Sequence, residues 1–454
     1  MTADPQRRKQ ASLVAIATLV VAAFAIAVLA VVAVTTLRSS EEGTVVEPDD
    51  RPTQRFPSTP VGLLAVTNGE RLSALAAMVI DPSGQGGSIV TMPVNLDTSA
   101  GVGEERTPFA QRAFSTDDPS ALSDVLAPML GVEPSFVEVV DAARLSELLG
   151  TTETAVVAMP QDVVDVSSGE PVVVAEFGER RLPIGAVVAS LTAIAPGDEP
   201  SYESHDIDVA TWTGLAEEWS LTTTPLDLVR DESGTPAEPA DIDELMERLR
   251  AGQVAVRDLA IDRGAAITAD NDAGADFVIL NTADVHLVFA AVAPERVLTP
   301  NPTLTFSIVA PFDTAQLAGF TDAATTEQIA RELISQLLFI EANVVFVDVS
   351  PGDDGAAAET VLIAESEEAL EAAAIDDVFG RVEGRIGARD TDGSDVTVVL
   401  GTDYLVHRAA IIAERESART DDDGGADFDV STDGSGQQPS DTAADETDTV
   451  DADE

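Results

Sequence analysis

The longest uninterrupted apolar stretch lies near the amino terminus. Residues 11–37 read ASLVAIATLVVAAFAIAVLAVVAVTTL and carry no charge. Roughly 20 apolar residues in a helix cross the hydrocarbon core of a bilayer, so this run reads as a transmembrane helix. Arg7, Arg8 and Lys9 precede it, while Arg38, Glu41 and Glu42 follow. The excess of positive charge before the run makes residues 1–10 a cytoplasmic arm and places the bulk of the chain outside the plasma membrane. A cleaved signal fits less well, because its apolar region is shorter and ends at a small-x-small site. Residues 38–60 are polar and hold Pro48, Pro52, Pro57 and Pro60, the composition of an extended stalk.

Beyond the stalk the period changes. Short apolar runs at 61–67 (VGLLAVT), 74–80 and 88–92 (SIVTM) are separated by Asn68-Gly69, by Asp81-Pro82 and by the glycines at 84–87. These are three strands apolar on both faces, joined by tight turns. Residues 96–114 show no period and read as a surface excursion. Pro119 after Asp118 opens a helix with Leu122, Val125, Leu126, Met129 and Leu130 on one face, ended by Gly131. A strand at 136–140 follows, then a helix capped by Asp141 and stopped by Gly150. Strands are expected at 156–158 and 172–175. Residues 196–239 are irregular and rich in Thr, Glu and Pro. A helix at 242–249, a strand at 277–280 and a helix or strand at 285–291 complete a first domain over 61–298.

Pro300 and Pro302 mark the boundary to a second domain over 303–408. Its pattern is a strand at 303–309, a helix from Thr325 carrying Ile329, Leu333, Ile334 and Leu337, strands at 344–349 and 360–364, a helix at 367–378 and a strand at 396–400. The fold class is therefore α/β: a membrane-anchored, layered α/β domain followed by a small α/β sandwich. After Arg419 no basic residue occurs, and acidic residues alternate with Gly, Ser and Thr, so 419–454 reads as an acidic disordered tail.

Charge narrows the function. Of the 454 residues, 81 are acidic and 25 basic, a formal net charge of -56, and the one lysine is Lys9. Such a surface argues against nucleic acid as a partner of the bulk surface. The chain has no cysteine, which removes disulfides, thiolate catalysis and thiolate metal sites. His205, His286 and His407 are far apart in sequence and do not suggest a histidine-based metal site. His205, beside Glu203 and Asp206, reads as an exposed loop residue, and Arg180-Arg181 as a surface pair. No phosphate-binding P-loop, Gly-x-Ser-x-Gly elbow, zinc helix motif or EF-hand loop is present.

The segments VGLLAVT at 61–67, Arg71 through Ile80-Asp81-Pro82, SIVTMP at 88–93 and FVEVVDAARLSELLG at 136–150 resemble the LytR-CpsA-Psr (LCP) family of envelope proteins. The helix at 327–338, the strand at 344–349 and DVTVVLGTDYL at 395–405 resemble the LytR-type C-terminal domain often joined to it. The resemblance implies transfer of an anionic glycopolymer from a polyprenyl-phosphate carrier to the cell wall. That chemistry uses arginines and a carboxylate-held Mg²⁺ over the diphosphate. Of that set only Arg71 falls in place. Ser73 stands where an Asp is expected, Val94-Asn95 where Arg-Asp is expected, and no arginine pair occurs over 184–202. Arg106 and Arg112, in the excursion bordering such a cleft, are the further candidate anion-binding residues.

Three readings follow. The first is a non-catalytic binding or scaffold module in cell-wall assembly, with no catalytic residue, no metal ligand and no cofactor. The second is an active transferase with relocated residues, which alone would require Mg²⁺. The third is an envelope regulator acting through its C-terminal domain. The partners implied are the membrane and either a polyprenyl-phosphate lipid or other envelope proteins.

Overall fold

The computed structural model describes residues 56–97, 119–195, 202–231, 234–262, 278–301, 303–320, 324–352, 355–387 and 394–422. The expected arm and membrane helix, Arg106, Arg112 and nearly all of the acidic tail lie outside them. Among the described residues no helix is long and apolar enough to cross a membrane.

The three apolar runs after the stalk form strands β1 (Val61–Asn68), β2 (Arg71–Ile80) and β3 (Gly87–Met92), an antiparallel meander. Gly69, at φ 64°, supplies the left-handed conformation of the first turn. Helix α1 (Pro119–Leu130) leads to β4 (Phe136–Val140), which pairs parallel to β1. Helix α2 (Ala142–Leu149) begins where the Asp141 carboxylate accepts the Arg144 N–H, and ends at Gly150. Two small antiparallel pairs follow, in which β5 (Thr154–Met159) meets β8 (Gly178–Pro183) and β6 (Val163–Asp165) meets β7 (Val172–Ala175). Helices α3 (Ile184–Leu191), α4 (Tyr202–Leu221) and α5 (Ile242–Arg250) precede β9 (Val254–Asp258). Strand β9 lies parallel to β3 and completes a five-stranded sheet in the order β4-β1-β2-β3-β9.

Both faces of that sheet are covered, which is why its central strands are apolar without alternation. One face packs Leu64, Val66, Ala74, Ala76 and Met78 against α2, α3, α4 and α5. The other packs Leu63, Ala65, Leu75, Ala77 and Val79 against α1 and helix α6 (Thr282–Val292). Between β9 and α6, the short strands β10 (Ile261–Asp262) and β11 (Ile279–Leu280) pair antiparallel.

The second sheet has the order β13-β12-β16-β14-β15. It comprises β12 (Thr305–Val309), β13 (Asn343–Asp348), β14 (Thr360–Ala364), β15 (Val382–Ile386) and β16 (Val396–Val399). Between β12 and β13 come a single turn α7 (Thr314–Leu317) and α8 (Thr326–Phe339), the latter started by a reciprocal Thr325–Gln328 capping box. Helices α9 (Glu367–Ala373) and α10 (Asp376–Phe379) stand where one helix over 367–378 was expected, because the chain leaves helical geometry at Ala374 and Ile375. Helix α11 (Thr402–Asp422) runs past both the expected end of this unit at 408 and the expected start of the tail at 419.

The main departure from the sequence pattern is α4. Residues 196–239 were expected to be irregular, yet 202–221 form a helix of 20 residues. Ile207, Trp212, Leu215 and Trp219 are buried along it and fill the space beneath the sheet. Gly214 sits where α4 crosses β5, and a β-carbon there would overlap the Val156 carbonyl oxygen. Gly214→Ala is therefore expected to destabilise the protein, although alanine is the better helix former by about 1 kcal/mol. Overpacking of about 1–3 kcal/mol outweighs that gain, and a urea unfolding curve shifted to lower midpoint is the check.

Candidate functional site

A break in the β1–β2 ladder builds the site. Val66 pairs with Ala74 and Thr67 with Leu72, so Ser73 is an extra residue with no partner across the ladder. Leu72 and Leu75, three apart, both pack on the α1 and α6 side, while Ala74 faces α2 to α5. This bulge resets the alternation of β2. The Ser73 hydroxyl donates to the Val66 carbonyl at 3.1 Å, and the Thr67 hydroxyl donates to the Val140 carbonyl at 3.1 Å. Both bonds fix the end of the hairpin.

Ser73 lines a cavity of about 460 Å³. Helix α3 and the residues after it contribute Ser190, Ala193 and Ala195, and α4 contributes Ser204, Ile207 and Asp208. Gln161, Asp162, Val163 and Val164 close it from the β6 side. Among the described residues no arginine or lysine is in the lining. The Ser190 hydroxyl donates to the Ala186 carbonyl one turn back, at 2.9 Å. Asp162 is exposed, and its Oδ1 accepts the Phe177 N–H at 2.7 Å.

Asp208 is the unusual member. It is 3% exposed, and among the described residues no hydrogen bond or ion pair reaches its carboxyl group. Burial, with nothing to offset it, pushes its pKa well above the ordinary carboxylate range. Its place on α4 follows the apolar stripe: Asp208, Trp212, Leu215 and Trp219 recur at intervals of four, three and four.

The expected site residues are distributed as follows. Arg71 opens β2, is exposed, and does not line the cavity. Arg106 and Arg112 lie outside the described residues. Val94 and Asn95 are buried beside β3 and are not part of the lining. Arg180 and Arg181 are exposed on β8, as expected of a surface pair. His205 corrects the sequence reading: it is on α4, 1% exposed, with Nε2 at 2.7 Å from Asp258 Oδ1. It ties α4 to the edge strand β9 and does not lie in a polar loop. The cluster at Arg144 is also structural, its guanidinium bridging Glu138 on β4 and Asp243 on α5 at 2.7 Å each.

The Mg²⁺ that the sequence resemblance implies does not fit the described lining of this cavity. Ser73 offers a hydroxyl in place of a carboxylate, and among the described residues no three of His, Asp and Glu converge as ligands. A larger groove of about 930 Å³ is bordered by Asp81, Arg230, Arg257 and Phe346. Its Arg230 is occupied by the carbonyls of Gly234 and Ser83, at 2.8 and 3.0 Å.

No family model matches the sequence, and no curated protein matches it. Among solved structures the chain is similar to TagV of Bacillus subtilis, with 13% identity and a TM-score of 0.35 over 52% of this chain and 95% of that one. It is similar to TagU of the same organism, with 11% identity and a TM-score of 0.30 over 51% and 94%. A third is TagT bound to LI-WTA, with 14% identity and a TM-score of 0.35 over 52% and 91%. The α/β assignment rests on the sheet order and layering described above.

The Asp208 carboxyl has a direct consequence for stability. Below about pH 4 it is protonated in both the folded and the unfolded chain. As pH rises through that range the unfolded chain ionises first, so stability falls until the raised folded value is passed. Asp208→Asn removes that loss. The stability of the variant relative to the parent is expected to be lowest well below the ordinary carboxylate value and to rise as pH increases above it, in urea unfolding curves recorded across that range. A constant difference over the range would show that Asp208 ionises normally in the folded chain.

Proposed function

We propose that this chain is a single-pass envelope protein with an LCP-like extracytoplasmic part, and that it works as a binding or scaffold module without transferase chemistry. In this reading residues 11–37 are the anchor, 61–298 and 303–408 are the two extracytoplasmic domains, and the tail is a solvated appendage. The observation that carries the reading is the lining of the Ser73 cavity. Phosphoryl transfer from a lipid diphosphate requires cations over the leaving and transferred phosphates. Here the segment over 184–202, where paired arginines are expected, presents Ser190, Ala193 and Ala195 to the cavity. Among the described residues the charged groups in the lining are Asp162 and Asp208, both of which repel a phosphate when ionised.

The test is the full-length protein purified from its membrane, extracted with organic solvent and analysed by mass spectrometry. The expected extract holds no stoichiometric polyprenyl phosphate, and pyrophosphate with Mg²⁺ leaves the thermal midpoint of the protein unchanged. One lipid phosphate per chain, or a midpoint raised by pyrophosphate and Mg²⁺ together, would restore the transferase reading.

A further inference from the structure

The Gln161 amide and the Ser204 hydroxyl apart, the polar groups of the cavity wall offer acceptors. Two of its hydroxyls already donate inward, Ser73 to the Val66 carbonyl and Ser190 to the Ala186 carbonyl, so what they retain is lone pairs. Asp208 is an acceptor when ionised, is buried, and has no partner among the described residues. Asp162 at the rim is a second carboxylate, and among the described residues no cationic side chain lines the space. A buried carboxylate without a partner is destabilising, and a ligand that supplies positive charge and N–H donors relieves it. The volume of about 460 Å³ lies in the range of small-molecule sites and exceeds the needs of a bare ion. A divalent metal lacks the ligand set, since among the described residues no three acidic or histidine side chains converge.

We infer that this cavity binds a small polar compound through its primary ammonium group, with Asp208 as the counter-charge and the Ser73 and Ser190 oxygens as further acceptors. An ammonium carries three donors and no acceptor, the complement of the Asp208, Ser73 and Ser190 oxygens. The inference rests on the reading of the site as one that no longer receives a diphosphate, and it names what the site takes instead. It assigns no chemistry to the ligand, only capture.

Isothermal titration of the full-length protein with glucosamine and with ethanolamine, each against its N-acetyl form, tests this. Each pair shares a skeleton and differs in the ammonium. The expected result is saturable binding of at least one amine, one per chain, weaker by about tenfold or more for its N-acetyl form and for the Asp208→Asn variant, the loss of one charge-assisted hydrogen bond. An unchanged circular dichroism spectrum of the variant shows that it folds. Equal binding of amine and amide, undiminished binding by Asp208→Asn, or no binding of either amine overturns the inference. Pyrophosphate is titrated in parallel. Its binding would overturn the proposed function itself, whereas silence toward both amines and pyrophosphate overturns only the inference.

Discussion

Strand β2 is the constraint on which the first unit depends. Nine of its ten residues are buried, with helices on both sides and a strand along each edge. Its backbone groups have no access to water, so each must be satisfied by β1 or β3. A slip of one residue would exchange the two faces, moving Ala74, Ala76 and Met78 to the α1 side and Leu75, Ala77 and Val79 to the α4 side. The exchange would set Leu75 and Val79 where Ala74 and Ala76 now fit and Met78 where Ala77 now fits, which is costly in packing. The bulge at Ser73 is thus held between fixed points: paired residues on one side and the Asn68-Gly69 turn on the other. The cavity floor inherits the rigidity of the sheet.

Helix α6 sets the second constraint. Val285 and Phe289 belong to the core under the first sheet, while Ala283, Leu287 and Ala290 belong to the core of the second. Between these two faces Asp284 is buried, accepts the Ala260 N–H at Oδ2 and pairs through Oδ1 with Arg331 of α8. A carboxylate so placed is satisfied only if both neighbouring segments are present. The proline pair at 300 and 302 does separate the two sheets in sequence. The helix just before it nevertheless serves both cores, so its apolar residues point in two directions and gave no clear choice between helix and strand.

What the sequence made legible follows from where each element sits. The strands β1 to β4 and β12 to β14, and helices α1, α2 and α8, combine continuous or periodic apolar runs with clear stops such as Asn68-Gly69, Gly131 and Gly150. Strands β8, β9 and β15 did not show, because each exposes several of its residues: GERRLP and VEGRI read as polar loop. Helix α4 was hidden by its polar residues, yet its stripe of Asp208, Trp212, Leu215 and Trp219 is present in the sequence once Asp208 is admitted as a buried position. That residue 73 and the segment 184–195 bring no arginine to the described lining was legible, since the sequence has none at those positions. The positive content of the site was not, because a serine that spends its proton on its own backbone looks in sequence like any other serine.

Asp208 separates a cavity left by imperfect packing from one that serves a ligand. Packing alone does not require a carboxyl there. The neighbouring stripe positions are filled by Trp212, Leu215 and Trp219, each buried, and an apolar side chain at 208 would extend the same core. The carboxyl instead faces a space wider than a side chain, among small residues that leave it room: Ser73, Ser190, Ala193, Ala195 and Ser204. A core under selection for stability alone fills such a space, because an unfilled volume loses dispersion contacts and an unpartnered buried carboxyl loses solvation. Here both losses fall at the same point, beside the bulge near the start of β2. Groups that oppose stability in this way concentrate where a ligand completes the structure, and the wall of acceptors around Asp208 fixes the charge that ligand must bring.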